Sequence, residues 1–286
     1  MTLRKRLAAP DILIAPGVYD GLTAALATDA GFEALYLSGA AVAYTRLGRP
    51  DIGLSTASEM TDTMALIADR TDLPVIMDAD TGFGNALNAR RTMQSYERAG
   101  ASALQVEDQT YPKKCGHLSD KSLIKKDEMC GKIAAMADAR RHDTLIIART
   151  DAIAVEGFDA AIDRAGSYID AGADVLFIEA PRDSSELSKI ADTFKGRVPL
   201  LVNMVEGGAT PISSATTLQD MGFDIVIFPG GIVRALAKTA QDYYVSLKKA
   251  GSNKPFSDRM HDFDGLNAAI GTPEMLALGK KFDGNA

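Results

Sequence analysis

The sequence predicts an α/β protein, a (β/α)8 TIM barrel with a C-terminal helical extension, and three observations carry that prediction. Eight short apolar runs alternate with amphipathic segments, and a glycine marks the junction before several of the runs. The Gly-rich dinucleotide fingerprint expected of a doubly wound open sheet is absent. The runs are Ile12 to Ala15, Ala34 to Leu37, Val75 to Met77, Ala103 to Val106, Leu145 to Ala148, Val175 to Ile178, Leu200 to Val202 and Ile225 to Phe228. Each is apolar on both faces, as a strand covered on both sides must be. The segments Gly21 to Ala30, Ala57 to Arg70, Ala86 to Ala99, Asp127 to Arg140 and Asp159 to Ala171 carry apolar residues at three- and four-residue spacing, which predicts helices with one buried face. Gly31, Gly100, Gly172 and Gly222 stand where a left-handed cap would release a helix into the next strand.

The whole chain, 1–286, reads as one barrel domain. The alternation stops near Gly251: Asn253 to Gly271 reads as loop, and Thr272-Pro273-Glu274 opens a final helix with Thr272 as cap and proline at the first turn. Apolar residues beyond a closed barrel need a partner surface. Residues 251–286 are therefore expected to form a helical tail used in oligomerisation, with packing on its own barrel as the alternative.

The formal net charge of −7 argues against nucleic acid or an anionic membrane as main partner, because both demand clustered Lys and Arg. Arg4-Lys5-Arg6 could open a signal peptide, but Asp11 interrupts any apolar stretch that follows, and no run approaches the roughly 18 apolar residues of a membrane span. A cytoplasmic enzyme acting on small molecules is the expectation. Two cysteines make no disulfide framework. Cys130 lies in a helical pattern and reads as packed, whereas Cys115 lies in a polar loop between Lys114 and Gly116-His117, where a thiol is chemically available.

The active site of a barrel is built at the carboxyl ends of its strands. Here those ends carry Ser38 and Gly39, Asp78 and Asp80, Glu107, Arg149 and Asp151, Glu179, Asn203, and Pro229 with Gly230. Asp78 and Asp80, two apart, are expected to share a face, with Glu107 on the adjacent strand. Three carboxylates without His or Cys suit Mg²⁺, or Mn²⁺, rather than zinc. For Asp80 alone, capping the following helix is the competing reading. Arg149 at a strand end fits a bidentate grip on a substrate carboxylate, with an ion pair to a neighbouring carboxylate as the alternative. Tyr36 and Ser38 share a strand face, and the amides of Gly39 and Ala40 could meet an anion. The connection from Asp108 to Lys126 is long for a barrel loop and is expected to bring Cys115 onto the site. The connection after Ser38 is also long and carries Arg46, Arg49 and Asp51.

With these residues in place, the chain resembles the isocitrate lyase and phosphoenolpyruvate mutase superfamily, and within it the short lyases of the 2-methylisocitrate and 2,3-dimethylmalate type. The resemblance rests on Tyr36-Leu-Ser-Gly39, Leu47-Gly-Arg-Pro-Asp51, Asp78-Ala-Asp-Thr-Gly-Phe-Gly84, Glu107-Asp-Gln109, Lys113-Lys-Cys-Gly-His117, Ala148-Arg-Thr-Asp151, Glu179-Ala180 and the run from Asn203 to Pro211. It implies a Mg²⁺-dependent carbon–carbon lyase, often tetrameric, with Asp78, Asp80 and Glu107 at the metal. Ser38, Gly39 and Arg149 would bind the pyruvate-like end of the substrate, Cys115 would donate a proton, and Tyr36 would act as base. His117, Asn203 and Glu179 would hold the other carboxylate, and Asp51, Lys113, Gly116 and Thr210, inside the same motifs, would complete the substrate-binding set. Arg234 could meet a further carboxylate. Ala40 and Gly207 depart from the methylisocitrate pattern and leave the substrate open. Oxaloacetate hydrolase or decarboxylase chemistry, carboxyphosphonoenolpyruvate mutase chemistry, and a barrel that only binds dicarboxylates are the competing readings.

Overall fold

A computed structural model describes residues 1–283 with the exception of His117 and Ser119. Its central feature is a closed parallel barrel in which each strand pairs with the next in sequence and the last returns to the first. In chain order the elements are α1 (Leu3–Leu7), β1 (Leu13–Val18), α2 (Gly21–Asp29), β2 (Leu35–Leu37), α3 (Gly39–Val42), α4 (Ala57–Arg70), β3 (Val75–Asp78), α5 (Ala86–Arg98) and β4 (Ala103–Glu107). They continue with α6 (Lys126–Ala139), β5 (Leu145–Thr150), α7 (Ala152–Val155), α8 (Phe158–Asp170), β6 (Val175–Ile178), α9 (Ser184–Phe194), β7 (Leu200–Asn203), α10 (Ala215–Met221) and β8 (Ile225–Phe228). The last helices are α11 (Gly231–Ala250), α12 (Phe263–Ala269) and α13 (Thr272–Phe282).

All eight predicted strands form, and five of them run further toward their carboxyl ends than their apolar runs. The added residues include Asp78, Glu107, Arg149 and Asn203, so these polar side chains sit on rigid, hydrogen-bonded backbone rather than on loops. The predicted caps hold as well: Gly31, Gly100, Gly172 and Gly222 all take the left-handed conformation.

The strands fill the barrel interior with branched and aromatic side chains: Leu13, Ala15, Tyr36, Ile76, Ala103, Ile147, Val175, Phe177, Leu201 and Ile227 form one buried cluster. Its amino-terminal end is stopped by α1. Leu3 joins the cluster and Leu7 packs against it, while Arg6 donates to the carbonyls of Asp11 and Ile12. At β1, Gly17 lies against the backbone of Pro229, and any side chain there would overlap that carbonyl. Only glycine lets the β8 exit cross so close.

The long connection after Ser38 winds into α3 and a π-helical turn, Ala43–Leu47, ended by left-handed Gly48. Two expectations are corrected. The stretch from 253 to 271 is largely helical, with a 3₁₀ turn (Lys254–Arg259) and α12. Thr272 does not cap the final helix either; that position belongs to left-handed Gly271, and the Thr272 hydroxyl bonds Asn267 Oδ1 at 2.8 Å.

The chain divides into two compact units, Met1–Gly231 and Ile232–Ala286, ahead of position 251. In the second unit Tyr243 meets Phe256 edge-on at 5.5 Å, and the Arg259 guanidinium lies over the Phe256 ring at 4.3 Å. Phe263, Phe282, Met275 and Leu276 are exposed.

Candidate active site

The carboxyl ends of β2 to β7 bring most of the expected residues together. Register places Asp78 beside Gln105 across β3 and β4, and Glu107 beside Arg149 across β4 and β5. Strand pairing therefore juxtaposes the acids and the arginine with no loop involved.

Asp78 accepts from three neighbours: the Asp80 amide at 3.1 Å and Gln105 Nε2 at 3.4 Å on one oxygen, and the Gly39 amide at 3.3 Å on the other. The same Gln105 accepts the Tyr36 hydroxyl at 2.6 Å. Gln105 is a polar residue within an apolar strand, and that interruption was a signal the sequence reading passed over. Burial, reinforced by Asp78, raises the Tyr36 phenol well above its ordinary value, so it stays protonated. Ser38 caps α3 through its side chain, accepting the Ala41 amide at 3.2 Å, and so turns the chain that delivers the Gly39 amide.

Asp80 departs from the expected geometry. β3 ends at Asp78, and Asp80 adopts a left-handed backbone, so strand alternation does not reach it. It does not cap α5 either, since Asn85 does. Its partner is Lys113: the ammonium stands 2.9 Å from Asp80 Oδ1 and 2.5 Å from Asp51 Oδ1, all three groups being buried. Burial pushes the Asp80 carboxyl up to about 6, an effect only partly offset by Lys113. On Lys113 burial opposes the charge, but Asp80 and Asp51 more than restore it. The Lys113 ammonium does not saturate Asp80 Oδ1, since a carboxylate oxygen carries two lone pairs and keeps accepting capacity beyond one contact.

Arg149 realises the ion-pair alternative. It forks onto Asp151 with Nε and Nη2 at 2.9 and 3.1 Å, reaches Glu107 Oε2 at 3.2 Å and Glu179 Oε2 at 3.8 Å, and lies over the Phe177 ring at 5.2 Å. The fork expected to face a substrate is already held by a carboxylate two residues along. Burial raises Glu107 well above the usual carboxylate range despite Arg149, and its buried Oε1 has no hydrogen-bond partner among the described residues. Asp108, the next residue, points the other way into the barrel wall. It accepts the Asp151 amide at 3.0 Å and the Thr150 and Tyr168 hydroxyls at 2.7 Å each, and Arg164 stands 3.4 Å away. This buried knot anchors the segment that presents Asp151.

The connection between β4 and α6 lies fastened over this rim. Gln109 pairs with the backbone of Lys114 through both ends of its amide, Thr110 bonds Ser122 by backbone and hydroxyl, and the Cys115 amide donates to Asp51 O at 3.1 Å. The neighbouring cations are engaged elsewhere: Lys113 with Asp51 and Asp80, and Lys114 with the Asp120 carbonyl. Gly116 sits on Arg149 and Glu179, where a methyl group would overlap Arg149 Nη2 and come within 2.8 Å of Glu179 Cγ. Glu179 also accepts Asn203 Nδ2 at 3.2 Å; among the described residues Asn203 Oδ1 and the buried Thr210 hydroxyl have no hydrogen-bond partner. Ala40 lies in the first turn of α3. Arg234 lies on α11 in the second unit, and His117 falls outside the described residues.

These features fit Mg²⁺. Among the described residues no three Asp, Glu, His or Cys side chains gather as a closed cation cage. Mg²⁺ does not require one, since it typically takes one or two protein carboxylates and completes its octahedron with water and substrate oxygens. Asp78, Asp80 beside Lys113, and Glu107 Oε1, which has no hydrogen-bond partner among the described residues, are hard acceptors of that kind.

A family model described as phosphoenolpyruvate phosphomutase matches residues 3–248. The chain belongs to the phosphoenolpyruvate mutase/isocitrate lyase superfamily. Among the superfamily's members it is 40% identical to a 2,3-dimethylmalate lyase of Eubacterium barkeri, over 94% of this chain and 93% of that one. It is 46% identical to a 2-methylisocitrate lyase of Aeropyrum pernix, over 91% and 83%. The crystal structure of a 2,3-dimethylmalate lyase superposes with a TM-score of 0.93 at 36% identity, covering 99% of this chain and 97% of that one. A phosphonopyruvate hydrolase solved with oxalate and Mg²⁺ superposes with a TM-score of 0.88 at 30% identity, covering 99% of each chain. Both relatives matched by sequence are lyases, and Mg²⁺ accompanies oxalate in the phosphonopyruvate hydrolase.

Proposed function

We propose that this protein is a Mg²⁺-dependent carbon–carbon lyase acting on a 2-hydroxy di- or tricarboxylate of the 2-methylisocitrate or 2,3-dimethylmalate type. A retro-aldol step would release pyruvate, or a related 2-oxo acid, with succinate or propionate. The observation that carries this reading is the seating of Gly116, the neighbour of Cys115, against Arg149 and Glu179, beside the acids that suit a hard cation. A thiol acid thereby shares one rim with a cation site and an arginine.

Asp78, Asp80 and Glu107 would hold Mg²⁺, directly or through water, and the bound ion would supply charge stabilisation for the 2-hydroxy carboxylate. Mn²⁺ suits the same donors. Arg149 and the Gly39 amide orient the pyruvate-like end. As the C2–C3 bond breaks, its electron pair passes to the departing acid, and the Cys115 thiol returns a proton to that carbon. Asn203, Glu179 and Thr210 line the side where the departing carboxylate would lie. The substrate hydroxyl must lose its proton first. Tyr36, buried, protonated and donating to Gln105, fits a hydrogen-bond donor better than that base.

No helix among the described residues is long and apolar enough to cross a membrane. Neither cysteine is in a disulfide, which suits a cytoplasmic setting. The exposed aromatic and aliphatic groups of the second unit support a homo-oligomer, a tetramer in our reading.

The test is a coupled assay for 2-oxo acid with Mg²⁺ across 2-methylisocitrate, 2,3-dimethylmalate, isocitrate, citramalate and oxaloacetate. Turnover of one of the first two, lost on chelation and reduced at least about 100-fold in Cys115→Ser, is expected. Turnover of oxaloacetate alone, or of none together with no thermal stabilisation by Mg²⁺ and oxalate, would overturn the reading.

A further inference from the structure

Lys121 is a buried cation that the reaction above does not use. Its side chain is only 2% exposed although it belongs to the long β4–α6 connection, whose lysines would ordinarily stand in water. Burying an ammonium is costly unless it is paired and hydrogen-bonded, so what it meets decides why it is there.

It meets two groups from opposite sides of the rim. Nζ donates to Asp151 Oδ1 at 2.8 Å, one residue past the end of β5, and it also donates to the carbonyl of Gly116, the residue after Cys115. Asp151 is the same carboxylate that holds both the Nε and Nη2 of Arg149. One ammonium therefore ties the backbone carbonyl of Gly116, one residue past the thiol, to the pair that orients Arg149. Burial alone would raise the Asp151 carboxyl, but Arg149 and then Lys121 bring it down to about 2, so the anion persists to receive both cations.

The seat is tight on its other sides too. Gly116 has no room for a methyl group above Arg149 and Glu179, and the Cys115 amide is held by Asp51 O. Asp51, Arg149 and Glu179 fix the flanks of this short segment, and Lys121 fixes its carbonyl.

The geometry points to Lys121 as a positioning residue: through Asp151 it sets the Cys115–Gly116 segment against Arg149, placing the thiol for its proton transfer. The kinetic part of this inference rests on the lyase reading, and the structural part does not.

The experiment uses the full chain with Lys121→Met, which keeps the stem and removes the charge, and Lys121→Arg, which keeps the charge. Amide hydrogen exchange is followed without substrate, with residues 109–116 as the reporter and α6 as the internal reference. In the Met variant, exchange of the reporter amides should accelerate at least about tenfold, as expected when a hydrogen bond from a charged group is lost, while α6 stays at the wild-type rate. On whichever substrate the wild type cleaves, kcat should fall at least about tenfold with KM moved by less than about threefold, and Lys121→Arg should recover part of the loss.

Wild-type exchange of residues 109–116 in the Met variant overturns the inference, as does a fall in kcat that Lys121→Arg leaves unrelieved. If the Met variant loosens globally, shown by α6 accelerating as well, the Arg variant decides: slow exchange at 109–116 supports the tie, and fast exchange there with α6 unchanged overturns it. If the Met variant exchanges as expected but the wild type cleaves no substrate, the lyase reading fails and the structural tie stands.

Discussion

Asp151 shows how one carboxyl group can carry both structure and pH dependence. It is fully buried yet pulled from an ordinary value of 3.8 to about 2, because Arg149 and Lys121 outweigh the effect of burial. A carboxyl depressed on folding stabilises the native state above its unfolded value, and that contribution disappears as pH falls from about 4 through about 2. It amounts to about 2 kcal/mol at neutral pH. Asp151→Asn should therefore be less stable than wild type to urea at pH 7, with the difference narrowing toward pH 3. An equal difference at both pH values would remove Asp151 from this role. The partnership was half legible in the sequence: Arg149 stands at a strand end among rim carboxylates, and an ion pair with one of them was the alternative to a substrate grip, but nothing singled out Asp151. Lys121 carried no such signal, because a lysine in a polar loop is ordinarily solvated and its partner lies 30 residues away.

Among the elements, the strands were legible and their functional ends largely so. A strand covered on both faces must be largely apolar, so the charged or polar residue that closes its apolar run marks the exit, and that rule located Asp78, Glu107, Arg149 and Asn203, with Gln105 a polar side chain inside such a run. It failed at Asp80, where the strand had already ended and a left-handed turn took over. The connection after Ser38 hid a π-helical turn, because a few residues of helix leave no periodic record. In α12, seven residues containing Gly265 and Asn267 are too short and too poor in helix formers to be read. The β4–α6 connection behaves as an element in its own right, bolted down by Gln109, Thr110 and Ser122. Its closest approach is at Gly116, so Gly116→Ala should lower kcat at least about 100-fold by displacing the neighbouring thiol. The thermal midpoint should move only slightly, because no core strand is touched. Paired kinetic and melting measurements separate this outcome from general destabilisation.

For the whole molecule, the second unit exposes Phe263 (83%) and Phe282 (73%). Surfaces of that kind on a stable protein ordinarily meet a partner. The double substitution Phe263→Asp with Phe282→Asp should lower the mass measured by light scattering while the barrel keeps its circular dichroism; an unchanged mass would locate the interface elsewhere. The rim itself is supplied with its own counter-ions, since Arg149 is held by Asp151 and Glu107, and Lys113 by Asp51 and Asp80. The fold can thus be completed without metal or substrate, and an arriving carboxylate must compete with one already in place. Its binding is an exchange of one oxygen partner for another, so net affinity reflects a difference between two similar contacts. Ground-state complexes formed on such terms are shallow, which favours release and leaves more of the available interaction for the transition state.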